Sequence, residues 1–152
     1  MTAAFRGSRV FDPMESLDLR RKRPREQAEI ALDRARHLPP EDRVLVEAVF
    51  RDGRPVTELA SLIAGTTGDA ARATCARGLR RRIRRLTARL FSREYAFVAE
   101  QLSDWSPTRR RVATACILHG RSIREAAAEL RLSLHTVRRH RAAIAELLEA
   151  WS

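Results

Sequence analysis

The sequence predicts an all-α protein built as two tandem units of three or four helices, joined by a long arginine-rich helix. Three observations predict it. No run shows the alternating, β-branched pattern of a strand. Apolar residues recur instead at spacings of three and four. One order of elements (helix, glycine turn, short helix, tight turn, charged helix) also occurs twice, over residues 41–90 and 107–150. With 152 residues and 44% hydrophobic composition, the chain has room for one domain or two small ones and enough apolar surface for a core.

The elements follow in order. Residues 1–23 hold Gly7, Ser8, Pro13 and the run Arg20-Arg21-Lys22-Arg23 without a sustained period, so a flexible basic arm is expected there. A first unit with its linker helix is expected over 24–103. Pro24 opens a helix through Arg36, and Leu38-Pro39-Pro40 breaks it. Glu41 and Asp42 then suit the first turn of a helix carrying Val44, Leu45, Ala48 and Val49. Asp52-Gly53 stops that helix, and Val56 to Ile63 forms a short second one. Gly65-Thr66-Thr67-Gly68-Asp69 is a turn, with Thr67 or Asp69 as N-cap. Near Ala70 a long helix begins whose inward stripe is Leu79, Ile83, Leu86 and Leu90. Helix continues through Tyr95, Val98 and Leu102, either unbroken or as two helices meeting near Ser92.

The second unit is expected over 104–152. Ser106 is a suitable N-cap with Pro107 at the first helical position, and Val112, Ala115, Cys116 and Ile117 form the buried side. Gly120 ends this helix. Ile123 to Leu130 is a short helix, Arg131-Leu132-Ser133 a tight turn, and Leu134 to Trp151 a third helix. Cys75 and Cys116 fall inside helices, where a thiol behaves as a small hydrophobe.

The formal charge is +11, and Lys22 is the only lysine among 30 basic residues. Its distribution is uneven. Residues 72–93 carry Arg72, Arg77, Arg80, Arg81, Arg82, Arg84, Arg85, Arg89 and Arg93 and no acid, and residues 106–152 add a surplus of five. A solvated helical face usually interleaves both signs, so an acid-free stretch repels itself and calls for an anionic partner. Aromatic residues make up only 5%, too few for a protein that stacks single-stranded bases. No run of ~18 apolar residues occurs and the N-terminus lacks a signal-peptide core, so no membrane partner and a cytoplasmic, nucleoid-associated location are expected.

The stretch from Gly120 to His140 has the spacing of a helix-turn-helix. Ala127 permits a close helix crossing, while Ile123, Leu130, Leu132 and Val137 hold the angle and Ser133 caps the second helix. That helix would turn Leu134, His135, Thr136, Arg138, Arg139 and Arg141 outward, with His140 as a further base or phosphate donor. Arginine can grip guanine with two hydrogen bonds, and the others can touch phosphate or a thymine methyl. Arg121, ahead of the motif, joins them as a DNA-contact candidate, as do Arg72, Arg77, Arg80 and Arg81 of the first unit.

These residues carry a resemblance. Trp105-Ser106-Pro107 through Ser133-Leu134-His135-Thr136-Val137-Arg138-Arg139-His140 resembles the LuxR/FixJ-type output domain and the related region 4 of sigma-70 family factors. Leu38-Pro39-Pro40-Glu41-Asp42-Arg43-Val44-Leu45, with Asp52-Gly53 and Glu58-Leu59-Ala60, is similar to the opening of a sigma region 4. Together the two cover about residues 38–90 and 105–151. The resemblance implies a tandem helix-turn-helix regulator of double-stranded DNA. Ile144, Leu147, Leu148 and Trp151 lie at helical spacing; they either bury against their own unit or form a homodimer seam, as the resemblance implies. The first unit departs from the pattern, because Ala64-Gly65-Thr66-Thr67-Gly68 lacks the apolar residue that plugs the turn. It would bind DNA through arginines alone or serve as a packing module. The 37 residues before Leu38 are too few for a polymerase-clamp domain, so a stand-alone sigma factor is not expected.

An enzyme is the weakest alternative. The histidines and cysteines form no four-ligand metal set, no paired carboxylates stand out, and Gly65-Thr66-Thr67-Gly68 lacks the lysine of a phosphate loop. No catalytic residue, metal or cofactor is expected. The stronger alternative is a sigma-like adaptor that contacts RNA polymerase or another regulator with little DNA binding of its own.

Overall fold

The computed structural model describes residues 22–65 and 68–152, of which all the regular elements are helical. Residues 1–21 of the expected basic arm and the N-cap candidate Thr67 lie outside the described residues. No described helix is long and apolar enough to cross a membrane.

Helix α1 (Lys22–Ala35) buries small residues, Ala28, Ala31 and Ala35, at spacings of three and four, which lets its backbone approach α2 closely. The Leu38-Pro39-Pro40 break sets the start of α2 (Pro40–Phe50), with Glu41 and Asp42 at its positive end and Leu45, Val46 and Val49 inward. Gly53, at φ 60°, turns the chain into α3 (Val56–Ala64), which lays Val56, Leu59 and Ala60 against α4 (Asp69–Leu90). Gly68 occupies the N-cap position of α4, without a side-chain cap. Asp69, read as a cap, is instead the first helical residue, where its charge still suits the helix's positive end. The α4 stripe holds Leu79, Ile83, Leu86 and Leu90 as expected, joined by Ala76 and by Thr87, whose hydroxyl donates to the Ile83 carbonyl at 2.7 Å.

Near Ser92 the chain breaks into two helices, because Ser92 Oγ accepts the Tyr95 N–H at 3.1 Å and starts α5 (Arg93–Gln101) afresh. A single 3₁₀ turn (Leu102–Asp104) leads to α6 (Pro107–Ala113). Ser106 stands at its N-cap position without a side-chain hydrogen bond. The helix then widens into a π turn over Thr114–Leu118, closed by His119 N–H to the Thr114 carbonyl at 2.8 Å. Two capped helices complete the chain, α7 (Ile123–Leu130) and the longer α8 (Leu134–Glu149).

Two apolar clusters hold these elements. The larger runs from Ala31 through Leu90, Tyr95, Phe97 and Val98 to Ile117, Leu118 and Ile144, so it crosses the boundary expected between the two units. The smaller, Val112, Ala115, Ala126, Ala127 and Val137, joins the α6 segment to α7 and α8. The α6 segment is buried on two sides: Ala113, Ile117 and Leu118 face the larger cluster, and Val112 and Ala115 the smaller.

Helix α5 is the keystone between the units. Tyr95 is fully buried and donates its hydroxyl to the Arg34 carbonyl at 2.8 Å, while burial pushes the phenol up to about 12. Phe97 packs against Trp105 (centroids 5.6 Å apart) and Trp151 (5.4 Å). Arg93 donates to the Trp151 carbonyl and lies over its ring, and Arg141 of α8 pairs with Glu94 at 2.8 Å.

Gly120 stands at φ 68°, where an L-residue is strained, and an added Cβ would also displace the Arg89 guanidinium. Replacing Gly120 by alanine is expected to cost about 1–3 kcal/mol, read as a lower midpoint in urea unfolding. An unchanged midpoint would show that neither constraint matters.

Candidate nucleic-acid interface

The helix-turn-helix is built from its caps outward. Ser122 Oγ accepts the Glu125 N–H at 3.1 Å and the Glu125 carboxylate accepts the Ser122 N–H at 2.9 Å, a reciprocal box that fixes the start of α7. Arg131 closes α7 in the left-handed region at φ 55°, a conformation usually left to glycine or asparagine. Ser133 Oγ then accepts the Thr136 N–H at 3.1 Å and starts α8. Ala126, Ala127 and Val137 are buried at the crossing, with Ile123, Leu130 and Leu132 packed around them. This reproduces the predicted core of the motif.

The predicted contact residues separate into groups. Leu134, His135, Arg138 and Arg139 are exposed on the first two turns of α8; Thr136 is half-buried, its hydroxyl 2.8 Å from Ser133 Oγ. His140 is half-buried, and burial together with the Arg109 and Arg139 cations holds its imidazole below the ordinary value. Arg141 corrects the reading of an outward side chain: at position 141 the helix has rotated toward α5, and the guanidinium is taken by Glu94. Arg121 is exposed but lies 3.5 Å from Glu129. Among the described residues no carboxylate pairs with Arg124, Arg131, Arg138 or Arg139.

The α4 arginines are sorted by face. Arg82 and Arg89 both reach Asp42 of α2, at 2.6 and 3.7 Å, and so tie α4 to α2. Arg72 pairs with Asp69 at 2.6 Å. Arg77, Arg80, Arg81, Arg84 and Arg85 have no carboxylate partner among the described residues. At 100° per residue these five fall within one arc of about 140°. Arg77 and Arg80 line a groove with Thr57, Ala60 and Ser61 of α3.

The seam candidates of α8 are largely spent inside the chain. Ile144 is fully buried, and Leu148 and Trp151 pack against the larger cluster; among these four only Leu147 is exposed. The cysteines are free and half-buried, and burial pushes the Cys116 thiol up.

The pairings of Asp42 with Arg82 and Arg89, and of Glu94 with Arg141, were not predicted from the sequence. Sequence distance hid these pairings, since Asp42 and Glu94 each find their arginine 40 or more residues away. The one available signal was the crowding of Tyr95, Phe97 and Trp105 in a chain with few aromatics.

His37 and His119 flank the contact between the units and are both partly buried. Burial is the largest cause lowering each imidazole, seconded by Arg36 for His37 and opposed by Glu129 for His119. Folded values below the unfolded 6.5 mean that the unfolded chain takes up protons first. Stability is therefore complete above pH 6.5 and declines as pH falls through it. The denaturant midpoint is expected to drop between pH 7.5 and 5.5, and a His37→Gln/His119→Gln variant to show a flatter profile. Identical slopes for both proteins would contradict this.

In comparisons with known proteins, no family model, no curated protein and no solved structure matches this chain.

Proposed function

We propose that the chain is a sequence-specific double-stranded DNA-binding transcriptional regulator, related in mode to LuxR/FixJ-type domains and sigma region 4. Helix α8 enters the major groove, and arginines of both units neutralise phosphates. The observation that carries the reading is the doubly capped α7–turn–α8 unit whose exposed leading face bears His135, Arg138 and Arg139 without a carboxylate partner. Such a face has donors for guanine and none of its charge is spent internally. The unpaired arc of α4 supplies further cations for backbone contact, so affinity should fall steeply with salt.

Guanine N7 methylation interference on genomic fragments selected for binding tests this directly. Interference should cluster at guanines within one or two half-turns of the site. Tight, selective binding that methylation leaves untouched would rule out α8 in the major groove.

A second reading, the sigma-like adaptor contacting RNA polymerase, draws on Leu62 and Ile63, which stand 63% and 64% exposed on α3, and on Val44 at 65%. Large apolar side chains so exposed suit a protein partner. Leu62→Ser/Ile63→Ser would separate the two: polymerase association is lost under the adaptor reading, and DNA affinity is unchanged under the first.

A further inference from the structure

Two cavities meet on the first unit. One, of about 490 Å³, lies between α3 and α4, and the other, of about 340 Å³, lies where α2 gives way to α3. Thr57 and Arg80 line both, so the two form one continuous groove. Val49, Val56, Ala60 and Ala76 make its walls partly apolar, and among the described residues no carboxylate lines it. Of its four arginines, Arg54 is paired with Glu58 at 3.4 Å and Arg72 with Asp69 at 2.6 Å, which leaves Arg77 and Arg80. Such a groove suits a chain that carries apolar side chains and carboxylates together. A phosphate backbone alone gains nothing from apolar walls, so a duplex fits the groove less well.

The chain itself holds a segment of that chemistry. Val10-Phe11-Asp12-Pro13-Met14-Glu15-Ser16-Leu17-Asp18-Leu19, outside the described residues, has three acids and no base, and each acid directly follows Phe11, Met14 or Leu17. Only Arg20 and Arg21 separate it from Lys22, where α1 begins. The start of α1 is close to the groove. Helices α1 and α2 pack together and are joined by residues 36–39 alone, so they run antiparallel and the first turn of α1 lies beside the last turn of α2. Val49 and Gly53, at that end of α2, line the groove. Packed helix axes stand about 8–10 Å apart. Residues 10–21 can extend over about 40 Å, so the tether reaches.

We propose that residues 10–19 dock in the α3–α4 groove of their own chain, with Asp12, Glu15 and Asp18 supplying carboxylates to Arg77 and Arg80 and the intervening apolar side chains covering Val56, Ala60 and Ala76. Tethering gives the segment an effective concentration on the order of mM, so a contact too weak to hold a free peptide is populated within the chain. Exposed ion pairs are individually weak and screened by salt, so the docked state belongs to low ionic strength and is released as salt rises. Docking withdraws Arg77 and Arg80 from other anions and leaves Arg81, Arg84 and Arg85 of the arc free. Its consequence for duplex binding rests on the reading of α4 as a phosphate-contact surface; the docking itself does not.

The first test uses the full chain without nucleic acid. With Cys75→Ala and Cys116→Ala in place, a nitroxide attached through Ser16→Cys should broaden the amide resonances of Ala60, Ala73 and Ala76 at low salt. The broadening should fade at about 1 M salt, where the screening length is about 3 Å, and in Arg77→Gln/Arg80→Gln. No broadening at low salt would overturn the docking, as would groove amides that ignore the nitroxide and shift only when duplex is added. Equal broadening with nitroxide and isotope label on different chains would place the segment on a second copy and overturn docking within one chain. The second test measures affinity for a random duplex. Asp12→Asn/Glu15→Gln/Asp18→Asn should raise it about two- to tenfold at low salt, and by less when Arg77→Gln/Arg80→Gln is also present. Equal factors in both backgrounds would reduce the effect of the acids to net charge and overturn the docking. A chain that binds no duplex at all fails the reading of α4 and α8, and the nitroxide result alone then decides the docking.

Discussion

Replacing Arg138 and Arg139 together by glutamine is expected to abolish sequence-selective binding while leaving the fold intact. Both side chains are exposed, and neither makes an ion pair among the described residues. Exchange of such surface groups changes stability by no more than about 0.5 kcal/mol. Each bidentate arginine–guanine contact is worth about 1–3 kcal/mol of discrimination, so the pair represents a loss of about 30-fold to 10⁴-fold for the selected duplex. Random duplex should lose far less, because only the phosphate-type attraction of two charges disappears. Competition binding of the two duplexes to the double variant, alongside its thermal unfolding, checks both halves. Equal losses for selected and random duplex would mean that these arginines touch only backbone; no loss at all, with activity preserved, would favour the adaptor reading.

The second large effect concerns stability. Ile144→Ala is expected to destabilise the whole chain, although residue 144 lies in the last helix. The side chain is fully buried in the cluster that also contains Leu90, Tyr95 and Val98. Removing such a side chain costs about 2–5 kcal/mol, because the surroundings close only partly around the space. At this chain length that corresponds to a fall of about 4–20 °C in Tm. Since the cluster crosses both units, amides of α4 and α8 should lose hydrogen-exchange protection together. Loss confined to α6, α7 and α8 would show that the units unfold separately, against the continuity of the core.

Much of this was legible in the sequence, and the reasons differ by element. Proline and glycine punctuation located α2, α3 and α7 almost to the residue, since Pro40 fixes its φ and Gly53 and Gly120 permit the positive φ of a turn, whatever surrounds them. The capping Ser133 likewise acts within four residues, whereas the Ser122 box emerged only in the structure. Ser106 looked equally good and makes no cap, because a hydroxyl's choice of partner depends on the rotamer that packing allows. The shared core was not legible. Pattern within a helix tells which face is inward, but not which neighbour it meets. The Ile144, Leu148 and Trp151 stripe reads the same whether it covers a partner or α5. Arg141 was misplaced for a similar reason: helical periodicity put it near the reading face, and only the tertiary fold brings Glu94, 47 residues back in sequence, to within 2.8 Å of it. The α4 arginines present the same lesson in charge. Nine bases without an acid looked uniform along the chain, yet Asp42, far back in sequence, takes Arg82 and Arg89, while Asp69 takes Arg72 and the Trp151 carbonyl takes Arg93, which leaves an arc of five.

The most direct measurement is the ratio of affinities for the best duplex selected from genomic fragments and for a random duplex of equal length, at one fixed salt concentration near physiological. A protein that reads sequence through α8 should bind the selected site at least about 10³-fold more tightly. Equal affinity for the two duplexes would contradict sequence-specific regulation and leave only a nonspecific polyanion binder.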